Sequence, residues 1–153
     1  MPRKVLLVDD ELLIFKMAQL ILEKADFVVD TCANGASAWN KIQENPPDLV
    51  ISDLVMPELD GYGLLKKIRQ DKRTASMPVL LLTANPVPFL KRCLRSSRTP
   101  IYIGVSYGAD YYLPKPFTAS RFLSSIWQVF ESMGKPLPPT IFSKINEKDL
   151  SGP

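Results

Sequence analysis

Asp9 and Asp10, Asp53, Thr83 and Lys115 are the side chains whose types and positions could do chemistry in this 153-residue chain. Each stands at or just beyond the end of a short run dominated by apolar residues: "VLLV" before Asp9, "LVIS" before Asp53, "VLLL" before Thr83 and "YYLP" before Lys115. In an open α/β sheet, ligands bind outside the carboxyl ends of the strands. Four strand ends would then deliver three carboxylates, one hydroxyl and one ammonium to a single rim. Carboxylates gathered this closely repel one another unless a cation sits among them. A hard, oxygen-seeking divalent ion such as Mg²⁺ suits the set, because it binds through one or two carboxylates and keeps several waters. Singly, each residue has a plainer reading: Asp10 as the N-cap of a helix opening "ELLIF", Thr83 as a turn residue, Lys115 as a solvated loop charge between two prolines. Jointly, at this spacing, they point to a site.

The elements that must position these residues follow from periodicity. Short runs rich in Val, Ile and Leu alternate with longer amphipathic segments, the pattern of a parallel sheet with helices on both faces. Strands are expected over Lys4 to Val8, Val28 to Thr31, Leu49 to Ser52, Val79 to Leu82 and Asp110 to Leu113. A first helix, about Glu11 to Lys24, repeats Ile14, Ala18, Ile21 and Ala25 at three- and four-residue spacing, which gives it one apolar face. The second is expected over about Gly35 to Glu44 and the third over about Gly61 to Gln70. A fourth would run from Thr99 as N-cap, with Pro100 at the first helical position, to Gly108. The last, about Thr118 to Ser132, carries an apolar stripe of Phe122, Ile126, Val129 and Phe130.

Composition narrows the chemistry. The length and 46% hydrophobic content suit one compact core. The chain contains no histidine, which removes Ser-His-Asp and Cys-His catalysis, histidine-ligated metals and a phosphohistidine donor role. Carboxylates and lysines are left to do any chemistry. Cys32 and Cys93 have no metal-ligand spacing and read as free thiols of a reducing compartment. A net charge of +3 is too small by itself to imply nucleic-acid binding. Neither a signal peptide nor a membrane span is readable, so a cytoplasmic location is expected. A flavodoxin-like cofactor binder is disfavoured, because two aspartates stand where a phosphate-cradling loop after the first strand belongs.

The stretches "VLLVDDE", "DLVISDLVMPELDGYGLL", "VLLLTA" and "GADYYLPKPF" together resemble the receiver domain of two-component response regulators, from about Lys4 to Ser132. The resemblance implies a CheY-like, flavodoxin-like, doubly wound α/β fold with a five-stranded parallel sheet in the order 2-1-3-4-5. It assigns Asp53 as the phospho-acceptor, Asp9 and Asp10 as the acidic pair that holds Mg²⁺, and the backbone carbonyl of Val55 as a further metal ligand. Thr83 becomes the switch hydroxyl, Lys115 the phosphate-contacting lysine, and Tyr112 the aromatic that changes rotamer on activation. The Lys115-Pro116 bond is expected to be cis. Such a domain is a switch rather than an enzyme, although it promotes its own phosphorylation and dephosphorylation. Its implied partners are a histidine kinase or phosphotransfer protein, and a downstream protein at the face of the fourth helix, fifth strand and last helix. That face also pairs in some homodimers; no membrane or direct nucleic-acid contact is implied.

The chemistry of those residues agrees. A carboxylate oxygen is a competent nucleophile toward phosphorus, giving an acyl phosphate. The transition state spreads charge over the phosphoryl oxygens, so positioning and neutralisation are most of what a protein can add. In "MPELDG", Pro57 would fix the loop and Gly61 would let the backbone turn into the third helix.

Three features depart from the resemblance. Val55 and Asn85, each two residues past a site residue, stand where side chains control the access of water to the acyl phosphate, and an apolar Val cannot orient one. Between Thr83 and Lys115 the chain is roughly ten residues longer than is usual, an insertion of about 85–98 between the fourth strand and the fourth helix. Its Lys91, Arg92, Arg95 and Arg98 read either as a basic patch for an acidic partner or as charges that keep a loop soluble. Lys66, Lys67, Arg69, Lys72 and Arg73 read as a solvated helix end favourable to the helix dipole. Residues 1–133 are expected to form the receiver and 134–153 a proline-containing tail or linker. That tail, from "GKPLPPT" onward, would be largely disordered, lead to a further domain, or dock Ile141 and Phe142 onto the domain. The alternative reading makes this chain the receiver portion of a longer transcriptional or enzymatic response regulator, with "GKPLPPT" as the linker.

Overall fold

In a computed structural model of the protein, residues 3–56, 59–83 and 109–144 are described. The elements in order are β1 (Lys4–Val8), α1 (Leu12–Lys24), β2 (Val28–Cys32), α2 (Gly35–Glu44), β3 (Leu49–Asp53), α3 (Gly61–Gln70), β4 (Val79–Thr83), β5 (Tyr111–Pro114), a C-terminal helix (Ala119–Ser132) and a 3₁₀ turn (Pro139–Lys144). The five strands form one parallel sheet in the order β2-β1-β3-β4-β5, as the resemblance implies. The insertion at 85–98, the expected helix at 99–108, Ala84, Asn85, Pro57 and Cys93 lie outside the described residues.

The alternation of side chains along each strand sorts the core into two layers. Val5 and Leu7 of β1, with Leu49, Ile51, Leu80, Leu82 and Leu113, face α1 and the C-terminal helix. Leu6 and Val8, with Val50, Val79 and Leu81, face the buried sides of α2 and α3. The expected stripe Phe122, Ile126, Val129 and Phe130 is wholly buried in the first layer, beside Ala18, Ile21 and Ala25. The inner strands β1, β3 and β4 are buried almost throughout, which is why they read as nearly continuous apolar runs, whereas the edge strands β2 and β5 are only partly covered.

Several expectations need correction. β2, β3 and β4 each extend one residue further than expected, and β5 begins at Tyr111, because Asp110 turns its carboxylate onto the Val79 amide (2.8 Å) and Arg69 (3.1 Å). The N-cap of α1 is Glu11, and Asp10 does not take that place. Arg69 leaves the basic group at the end of α3: its side chain is only 21% exposed and also donates to the Ala75 and Met77 carbonyls. Gly61 has no left-handed backbone. A Cβ there would stand 2.4 Å from the Asp53 carbonyl oxygen, so close approach of α3 to the end of β3 is what requires glycine.

Of the three readings of the tail, docking describes residues 135–144. Leu137 and Ile141 are buried in the first core layer, and the Phe142 ring lies 5.4 Å from that of Trp127. Arg3 ties this strap down, donating to the Pro136 carbonyl (3.3 Å) and lying over the Phe130 ring. Packing therefore runs past the expected boundary at 133; residues 145–153 lie outside the described residues.

Candidate phosphoryl and metal site

Strand register sets the height of each candidate residue on the rim. Val8 pairs with Ser52 and Asp53 with Leu82, so Asp9 and Asp53 stand level across β1 and β3. Thr83 pairs with Pro114, which puts Lys115 two steps above the level of Asp53. A long side chain can reach back over that step. The Lys115 Nζ lies 3.1 Å from Asp9 Oδ2, 3.3 Å from Asp53 Oδ2 and 3.3 Å from Glu11 Oε1. Its backbone N–H donates to the Thr83 carbonyl at 2.7 Å, pinning β5 to the end of β4. The Lys115-Pro116 peptide bond is cis, as expected.

The three aspartates come together as the sequence anticipates. Carboxylate oxygens of Asp9, Asp10 and Asp53 lie within 4.8 Å of one another, with Asp9 and Asp53 buried and Asp10 exposed. One open side facing solvent and two anchored carboxylates are what a partly hydrated hard cation requires. Burial holds the Asp53 carboxyl above its ordinary range; the Lys115 ammonium pulls the other way, and the Asp9 charge adds to the rise. For Lys115, burial acts to lower the pKa, but the carboxylates of Asp9, Asp53 and Glu11 outweigh it and hold the ammonium above its ordinary value. The donor set fits a divalent cation: it offers negative charge that a single ammonium does not neutralise.

Thr83 is buried, 5% exposed, at the end of β4. Tyr112 lies two residues before Pro114 on β5, half-buried against the layer under α2 and α3. Val55 follows Asp53 by two residues and turns its side chain out, 74% exposed. The loop it begins is held at both ends, by Leu54 N–H to the Leu82 carbonyl (2.8 Å) and Gly61 N–H to the Leu54 carbonyl (2.9 Å). Asp60 caps α3, accepting from the Gly63 N–H at 2.8 Å.

Glu11 is the site residue that sequence reasoning missed. The available signal was the third acid of "VDDE": glutamate is a poor N-cap, and the Glu11 side chain makes no cap hydrogen bond.

Residues 5–126 match the response regulator receiver domain. The chain is 43% identical over 117 residues to response regulator Rre1 of Synechocystis sp., an alignment covering 76% of this chain and 46% of that protein. It is 36% identical over 118 residues to the alkaline phosphatase synthesis transcriptional regulatory protein PhoP of Bacillus subtilis, covering 77% of this chain and 44% of that one. The chain thus spans about half the length of these relatives. Among solved structures it resembles the chemotaxis response regulator CheY4 of Vibrio cholerae, with a TM-score of 0.72 and 32% identity, covering 84% of this chain and 99% of that one. With the strand order, the acidic rim and this match in agreement, the chain belongs to the receiver domain family of two-component response regulators.

Proposed function

We propose that this receiver takes a phosphoryl group onto Asp53 and relays the change through Thr83 and Tyr112. The observation that carries the reading is the buried Asp53 carboxylate, level with Asp9 and within reach of Lys115 Nζ. An oxygen of Asp53 attacks the phosphorus, a new O–P bond forms, and the bond to the donor breaks. The electron pair leaves with the donor group, a histidine nitrogen if a histidine kinase or phosphotransfer protein is the source. Receiver domains generally bind Mg²⁺ at an acidic pocket; here Asp9, Asp10, Asp53 and the Val55 carbonyl would hold it, and it would supply neutralisation of the phosphoryl charge. Lys115 turns from Asp9 and Asp53 to a phosphoryl oxygen, and the Thr83 hydroxyl donates a second hydrogen bond. Thr83 moves inward and Tyr112 follows, which changes the surface around β5 and the C-terminal helix.

That surface is the one we assign to a downstream protein or a second copy of the chain. Receiver domains are signalling switches, and catalysis here is confined to the acceptor's own gain and loss of the phosphoryl group. Among the described residues no helix is long and apolar enough to cross a membrane, which is consistent with a cytoplasmic role. Residues 1–133, with the insertion at 85–98, remain our receiver assignment, extended by the packed strap. The lengths of these relatives, one of them a transcriptional regulatory protein, favour a second reading, in which the domain serves a longer regulator. The length of the expressed protein in its source cell distinguishes the two.

The test of the site is incubation with Mg²⁺ and acetyl phosphate, followed by intact-mass measurement. The wild type should gain one phosphoryl group and Asp53→Ala none; labelling that persists in the variant removes Asp53 from the reading.

A further inference from the structure

We propose that Glu11 is a positioning residue for Lys115, giving the ammonium an anchor that a bound cation does not share. The proposal rests on the reading of Asp53 as phospho-acceptor. Lys115 Nζ has three carboxylate partners, and two of them, Asp9 and Asp53, belong to the cluster suited to a divalent ion. A cation among those carboxylates competes with the ammonium for the same oxygens and repels it. Glu11, whose Oε1 stands 3.3 Å from Nζ, lies outside that cluster. It can therefore hold Lys115 at the rim when Asp9 and Asp53 are drawn to the metal.

Local structure supports the assignment from a different direction. Glu11 is the N-cap of α1, with extended backbone, and its carbonyl accepts the Phe15 N–H at 3.0 Å. Its own N–H donates to Asp9 Oδ1 at 2.8 Å, which fixes the residue beside the acidic pair. A Ser, Thr, Asp or Asn at this position would turn its side chain back onto the helix amides and strengthen the cap. The glutamate makes no such bond and is long enough to reach Lys115 instead. The side chain is half exposed, so the pair is expected to act at the strength of a good surface ion pair.

Beryllofluoride affinity at saturating Mg²⁺ tests this, because charge and positioning predict opposite signs. Removing a negative charge near the site would by itself tighten binding of an anionic phosphoryl analogue. Losing the anchor of Lys115 weakens it. Glu11→Gln is expected to weaken beryllofluoride binding roughly fivefold, with the thermal midpoint in the absence of the analogue little changed. In a Lys115→Met background the same substitution is expected to produce no weakening. Unchanged or tighter binding in Glu11→Gln overturns the proposal, as does equal weakening in the Lys115→Met background. Failure of the underlying reading looks different: the wild type would not bind the analogue, or Asp53→Ala would bind it equally well.

Discussion

Asp53 is destabilising to the metal-free fold when ionised, since burial and the neighbouring Asp9 raise its pKa above the ordinary 3.8 despite the Lys115 ammonium. A carboxyl whose folded pKa is raised contributes its full stability below its unfolded pKa and loses it as pH climbs through the folded value. In the presence of chelator, Asp53→Asn should therefore melt above the wild type at about pH 7, with the difference closing by about pH 3.5. Thermal scans at the two pH values check this; an equal gain at both would assign the effect to packing. Burial likewise pushes the Cys32 thiol up. In a Cys93→Ser variant, alkylation of Cys32 should be slow at neutral pH and become fast only when the protein is unfolded. Asp9, Asp10, Asp53, Thr83 and Lys115 were legible because each ends a recognisable strand. Glu11 and Arg69 were not: a glutamate at a helix cap hints that its side chain is used elsewhere, but neither it nor a basic run names a partner 104 or 41 residues away.

Strand register brings Asp9 and Asp53 to one height, and α3 packs closely against the end of β3 that carries Asp53. In Gly61→Ala the new Cβ would meet the Asp53 carbonyl oxygen at 2.4 Å, so the helix must retreat from the strand that carries Asp53. A loss of about 1–3 kcal/mol in urea denaturation is expected, together with weaker Mg²⁺ binding measured by calorimetry. Stability loss without a change in metal affinity would show that Asp53 does not feel the shift. The C-terminal strap has a different task, filling the first core layer with Leu137 and Ile141. Ile141→Ala should cost about 2–4 kcal/mol, far more than truncation of a side chain in a solvated tail. Helix and strand interiors were readable from periodicity, and α2 and α3 have the expected ends. The strap was only one of three options because "GKPLPPT" excludes a helix without saying where an extended chain goes.

At the scale of the whole molecule, a cation held at the rim would add to the stability of the fold. The three clustered carboxylates are dispersed in the unfolded chain, so Mg²⁺ should raise the melting temperature of the wild type, by about 2.7 kcal/mol of added stability at a hundred times its dissociation constant. In Asp10→Asn that rise should be largely lost, as scans across a Mg²⁺ titration will show. Membership of the alternating α/β class was legible because the inner strands, buried on both faces, read as apolar runs between amphipathic segments. The order of strands came from family resemblance, since alternation alone does not choose among parallel arrangements. Arg3 and Pro136 meet across 133 residues of chain, joining β1's approach to the strap that closes the first core layer. Contacts of such sequence separation are entropically expensive to form early. The strap should thus dock after the folding transition state: in stopped-flow chevrons Ile141→Ala is expected to accelerate unfolding while leaving the refolding limb nearly in place, a φ-value close to zero. The last of the described segments would then set how long the folded domain lasts rather than how quickly it forms.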